Sequence, residues 1–138
     1  MIVLDTHVLS EALRAVPAEA VMAWLASQSS AALFTTTVTR GELFYGIQLM
    51  ADGQRKNDLW LAAQAIFDQD LVGQVLSFDA SAADAFASIC ASRKRAGHPI
   101  SQFDAMIAAF TLSRGAKLAT RNTKDFADCG VELINPWG

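Results

Sequence analysis

Short apolar runs alternate with segments of helical period along the whole 138-residue chain, and this alternation restricts the fold more than any other feature. Val3 and Leu4 close an apolar run that reads as a buried strand, and Thr6 to Leu13 then read as a short helix. A second helix is expected with Pro17 in its first turn and an end near Ser27, followed by a strand across Ala32 to Thr36. Val38, Leu43, Phe44, Ile47 and Leu49 recur at helical spacing, weakened by Gly41 and Gly46. Beyond the polar break Asp52 to Arg55, a helix from about Lys56 to Phe67 pairs with it as a helical hairpin. Val75 to Phe78 reads as a third strand. Ser81 is the expected cap of a long helix from Ala82 to about Arg95, and Ser101 that of a helix from Gln102 to Ser113 ended by Gly115. Lys117 to Thr120 and Val131 to Ile134 complete the strands. Strands separated by helices imply a parallel sheet of about five strands covered on both faces, an α/β fold in three layers. With no repeat, low-complexity segment or linker, residues 1–138 are expected to form one domain.

An apolar fraction of 52% and a mean hydropathy of +0.26 exclude a disordered chain and point to apolar surface left over for a partner. No run approaches the ~20 apolar residues of a membrane span. The first apolar stretch has no basic leader and meets Asp5, so a cytoplasmic location is expected. Cys90 and Cys129 are too few and too far apart for a zinc pattern and read as thiols. The formal charge of −3 argues against broad attraction to nucleic acid. It leaves room for a local basic rim. Arg93, Lys94, Arg95 and His98 cluster, and Arg114, Lys117, Arg121 and Lys124 follow; such a run is usually a solvated helix end.

Ligands of an open parallel sheet bind beyond the carboxyl ends of its strands, where the strand order reverses. Asp5 lies just after the first strand, Glu42 one turn into the helix after the second, and Asp104 in the first turn of a helix. Asn122 and Asp125 follow the fourth strand. Their neighbours Leu4, Leu43, Phe44, Phe103, Ala105, Met106 and Phe126 are apolar or small. Burying several carboxylates together is costly unless a cation neutralises them, and oxygen-only donors suit Mg2+ or Mn2+ rather than Zn2+. Each acid also has a plainer role. Asp5 can cap the helix beginning at Thr6, Asp104 gains from a helix N-terminus, and Asp125 suits a turn. Four acids at one end of a sheet are harder to read as four independent caps. His7 offers a nitrogen ligand or a hydrogen bond to Asp5.

MIVLDTHVLSE at the start, TTTVTRGELFYGI from Thr35, PISQFDAMIAA from Pro99, ATRNTKDF from Ala119 and VELINPW near the end occur in the order and spacing of one family. The chain resembles the PIN-domain ribonucleases, specifically the VapC-type toxins of prokaryotic toxin-antitoxin pairs, through nearly its whole length. The resemblance implies a PIN-like fold and a Mg2+-dependent (or Mn2+-dependent) endoribonuclease that hydrolyses phosphodiester bonds in RNA, tRNAs being usual targets. It assigns catalysis and metal ligation to Asp5, Glu42 and Asp104. Some relatives carry an acid where Asn122 stands; here Asp125 follows three residues later, so the fourth ligand is Asp125, directly or through water, or Asn122. Thr6 and Thr120 match small hydroxyl positions that support the pocket. His7 departs from the Asn usual after Asp-Thr, which bears on the hydrogen bonding around the acids. Arg40, Arg93, Lys94, Arg95, Arg121 and Lys124 are candidates for RNA phosphates. The implied partners are a second copy in a homodimer, a higher-order toxin-antitoxin assembly, and a VapB-type antitoxin that alone contacts DNA. Phe44, Tyr45, Leu49, Trp60 and Leu61 are the candidate contacts on the hairpin. The competing reading is a non-catalytic PIN-like module that binds RNA or a partner. A haloacid dehalogenase-type phosphatase would need a second aspartate at position 7, where His7 stands.

Overall fold

The first strand of the computed structural model, which describes residues 1–138, puts Val3 and Leu4 on opposite faces of a sheet, and both are almost wholly buried. Successive strand side chains point to opposite faces, so a central strand covered on both sides must be apolar throughout. Val3 and Leu118 belong to one core with Ile107, Phe110 and Phe126; Leu4 and Ala119 belong to the other with Val8, Leu9, Val21 and Phe67. Two cores on one sheet make the three-layer α/β fold that the alternation implies.

The strands are β1 (Ile2–Leu4), β2 (Leu33–Thr36), β3 (Val75–Leu76), β4 (Lys117–Ala119) and β5 (Glu132–Ile134). All pairings are parallel and the spatial order is β3-β2-β1-β4-β5. Val3 faces Phe34 on one side and Leu118 on the other. The order therefore reverses at β1, and the crevice beyond β1 and β4 is the switch point at which such sheets bind ligands. The helices are α1 (Thr6–Ala12), α2 (Glu19–Ser27), α3 (Thr37–Gln48), α4 (Gln54–Ala65), α5 (Ala80–Arg95) and α6 (Gln102–Ser113). None is long and apolar enough to cross a membrane.

Several boundaries differ from the sequence reading, each for a local reason. Pro17 lies outside α2, whose cap is Ala18. The cap of α5 is Asp79, whose carboxylate accepts the Ala82 amide at 2.9 Å; Ser81 lies inside the helix. An aspartate caps as well as a serine, and the earlier one gains an extra half-turn. After α4 the chain widens into a π-turn over Ile66–Asp70, closed by the Leu71 amide on the Ile66 carbonyl at 2.8 Å. Helix α6 ends as expected at Gly115, whose φ of 62° only glycine adopts readily. The Ala116 and Gly115 amides then satisfy the Thr111 and Leu112 carbonyls.

In the hairpin of α3 and α4, Phe44 and Trp60 pack on each other with ring centres 4.6 Å apart. Both are half-buried, whereas Tyr45, Leu49 and Leu61 are exposed. Of the candidate contacts on the hairpin, only the latter three therefore offer exposed apolar surface.

Glu11 is buried with no apolar role. Its carboxylate accepts the Ala18 amide at 3.1 Å and approaches Arg14 at 3.3 Å, which ties α1 to the start of α2. Burial works against its ionisation, but the Ala18 amide and Arg14 outweigh it, and the carboxyl is held below its usual 4.5. A carboxyl more acidic in the fold stabilises it fully above that value and loses the contribution as pH falls through the folded pKa. Glu11→Gln should therefore unfold at a lower temperature than the parent at pH 7, and the gap should close below about pH 4.5 when melting is followed by circular dichroism.

Candidate active site

Asp5 sits one residue beyond β1, and the ladder continues far enough for its amide to donate to the Ala119 carbonyl at 3.1 Å. That bond locks the backbone, and the side chain is locked as well. One carboxylate oxygen accepts the Val8 amide at 3.2 Å, capping α1, and the other accepts the Thr120 hydroxyl at 2.6 Å. The cap role and the pocket role are thus the same placement. Thr120, wholly buried, also accepts the Asn122 amide at 3.0 Å, so the segment after β4 is bound to the acid after β1.

Thr6 turns the other way. Its hydroxyl donates to Glu42 at 2.7 Å and lies 3.2 Å from the Thr39 hydroxyl. Thr39 is wholly buried, and its amide donates to the hydroxyl of Thr36, the cap of α3. The three threonines form a hydroxyl chain that sets Glu42 relative to Asp5. The sequence reading missed Thr36 and Thr39; a threonine just ahead of a helical apolar period is an N-cap signal that could have found Thr36, while Thr39 carries no such signal.

Asp104 occupies the first turn of α6, where Ser101 accepts its amide at 3.3 Å. Its carboxyl is pushed above the usual 3.8, first by burial and then by the negative charges of Asp125 and Asp5, against the relief given by Ser101 and His7. His7 is displaced upward as well. The Asp5 carboxylate 3.6 Å away is the main cause, opposed by burial and assisted by the charges of Asp104 and Glu42. These mutual effects place Asp5, His7, Glu42, Asp104 and Asp125 in one electrostatic environment. The His7 Nδ1 also stands 3.5 Å from the side-chain Nδ2 of Asn122, so it bridges the segments after β1 and β4 at the mouth of the site. Asn122 is half-buried and Asp125 exposed.

The basic residues divide. Arg121 and Lys124 line an exposed polar basin of about 290 Å3 with Asn122, Thr123 and Asp125, beside the acids. Arg121 lies 5.1 Å over the Trp137 ring. Lys94 and Arg95 are exposed at the end of α5. Arg40 is engaged elsewhere, paired with Asp68 at 2.9 Å and 5.3 Å from the Phe44 and Phe67 rings. Arg93 corrects the reading of the basic run as a solvated helix end. Only 9% exposed, it donates to the carbonyls of His98, Asp125 and Ala127 and is not free to bind phosphate. On the other flank an open groove of about 640 Å3 runs from Glu42 along Val38, Gly41, Tyr45 and Phe103.

The donor set near the switch point is carboxylate oxygen. No three of the histidine, cysteine, aspartate and glutamate side chains stand close enough to cage an ion by themselves. Oxygen donors of this kind are the ones that hard divalent cations such as Mg2+ take, one or two carboxylates directly and several waters besides. Burial first, and the neighbouring carboxylates after it, disfavour the charged form of Asp104, an effect that a nearby cation would oppose.

Comparison with known proteins gives a consistent result. Residues 2–131 match the PIN domain family. The chain is 37% identical over 137 residues to the VapC ribonuclease Y4jK of Sinorhizobium fredii, covering 99% of this chain and 98% of that one. It is 36% identical over 137 residues to toxin FitB of Neisseria gonorrhoeae, covering 99% of each. Among solved structures, FitAB bound to an IR36 DNA fragment superposes with a TM-score of 0.93 at 35% identity, covering 100% of this chain and 96% of that one.

A carboxyl whose pKa is higher in the fold than in the unfolded chain destabilises the fold once pH exceeds the unfolded value, here 3.8. Asp104→Asn should therefore raise the melting temperature at pH 7 in EDTA, by roughly 1–3 °C given its partial exposure. The same variant should lose most of the rise that Mn2+ gives the parent; a variant protected as well as the parent would remove Asp104 from the site.

Proposed function

The chain belongs to the PIN-domain family, with VapC-type ribonucleases and toxins as relatives across its length, and on that premise we propose that it is a Mg2+-dependent endoribonuclease toxin. It hydrolyses phosphodiester bonds in RNA, tRNA included, residues 1–138 acting as one PIN domain, and a VapB-type antitoxin neutralises it. The observation that carries the reading is the convergence of Asp5, Glu42, Asp104 and Asp125 in one electrostatic environment at the sheet's switch point.

Asp5 and Asp104 would hold Mg2+ or Mn2+, and Glu42 and Asp125 would contribute directly or through water. When bound, the ion lowers the pKa of water and neutralises charge developing on the phosphate. Thr120 and the Val8 amide fix the Asp5 carboxylate so that its geometry does not have to be assembled during the reaction. Thr6 fixes Glu42, which would orient the attacking water toward the scissile phosphate or help to hold a second ion. His7 and Asn122 order the mouth of the site. Arg121 and Lys124 hold phosphates flanking the one that is cut. The reaction needs no covalent nucleophile.

Toxin FitB is 36% identical, and the FitAB structure that superposes on this chain is bound to a DNA fragment, which supports an antitoxin partner here and contact with DNA through that antitoxin. The exposed Tyr45, Leu49 and Leu61 provide apolar surface for a second copy or the antitoxin. Such a toxin acts in the cytoplasm, where its RNA is.

Purified protein incubated with a tRNA pool and Mg2+ should release discrete fragments. EDTA should stop the cleavage, and Asp5→Asn should reduce it by about 100-fold or more. RNA binding without cleavage by the wild type would favour the non-catalytic module instead.

A further inference from the structure

Arg93 is the most deeply buried cation of the chain, and the function above gives it no task. It stands on the inner stripe of α5, one turn after the buried Ile89. No carboxylate lies within 4 Å of its guanidinium, whose partners are backbone carbonyls and the Cys129 sulfur. The Nε donates to the His98 carbonyl at 2.7 Å. One Nη donates to the carbonyls of Asp125 and Ala127, both at 2.9 Å, and approaches the Cys129 sulfur at 3.5 Å. Burying a guanidinium is expensive, and a neutral donor of the same reach would avoid that cost.

The two segments it joins explain the choice. His98 lies in the turn from α5 into α6, held by Gly97 at a φ of 77° and by its own amide on the Arg93 carbonyl at 3.0 Å. Three residues on, Ser101 caps α6 and Asp104 follows. Asp125 lies in the segment after β4. Arg93, Asp104 and Asp125 line one cavity of about 200 Å3 with Pro99, Ile100 and Ser101. A single planar group with donors in a fixed fork therefore spans the two backbones that carry two repelling acids.

Resting on the acid site read above, we propose that Arg93 is a positioning residue that sets the separation of Asp104 and Asp125 by clamping the α5–α6 turn to the segment after β4. Its side chain lines the same cavity as both acids. Lysine retains the charge but cannot span three carbonyls; glutamine retains donors but neither the reach nor the charge.

The test compares the full-length wild type with Arg93→Lys, Arg93→Gln and Val21→Ala, the last being a buried residue of the opposite core and so a control for lost stability. Melting temperature, Mn2+ affinity by calorimetry, and kcat and KM on a tRNA pool are measured for each. Both Arg93 variants should bind Mn2+ about 10–100-fold more weakly and lose kcat with little change in KM. Val21→Ala should lose melting temperature and keep its Mn2+ affinity. If Arg93→Gln does not fold, Arg93→Lys carries the comparison. Mn2+ affinity within twofold of wild type in the folded Arg93 variants, or an equal loss in Val21→Ala, overturns the proposal. A wild type that binds Mn2+ and cuts no RNA overturns the ribonuclease reading while leaving the Arg93 comparison intact. A wild type that binds no Mn2+ overturns both.

Discussion

Carboxylates gathered at one end of a sheet repel one another, and in this chain the surrounding structure can be understood as what holds them there. Asp5 is fixed by an amide and a hydroxyl, Glu42 by a hydroxyl, and Asp104 by the start of α6. The cost shows in Asp104, whose carboxyl is pushed above its usual range by burial and by its acidic neighbours. A cation held among these carboxylates, as proposed, would offset that cost.

The topology decides which residues share this burden. Because β1 is central and the order turns there, the segments after β1 and β4 are neighbours, and α3 begins beside them after β2. Three threonines then act as rigid spacers. Thr120 joins Asp5 to the segment carrying Asn122; Thr6 and Thr39 join α1 to α3. Short hydroxyl side chains lose little freedom on burial and can donate to one acid while accepting from an amide, which a longer polar residue would do less rigidly.

The fold was legible because short, largely apolar stretches separate segments whose apolar positions recur every three to four residues. The placement of Asp5, Glu42, Asp104 and Asp125 near strand ends and helix starts followed from the same pattern. Legibility failed where the deciding contact is tertiary or where two residues compete for one role. Asp79 displaced Ser81 as the cap of α5, and the π-turn at Ile66–Asp70 has no local signature. Arg93 looked like one of three solvated cations. It falls, however, on the stripe of Ala82, Phe86 and Ile89, and that period separates it from the exposed Lys94 and Arg95. Glu11 is buried by its bond to the Ala18 amide, which no spacing in the sequence announces.

The central claim is that these acids form a site for a divalent cation. The most direct measurement is anomalous diffraction from crystals soaked in Mn2+. A peak beyond the carboxyl ends of β1 and β4, about 2.0–2.3 Å from oxygens of Asp5 and Asp104, is the predicted result. Mn2+ bound only elsewhere on the protein, with no peak among these carboxylates, would contradict the account.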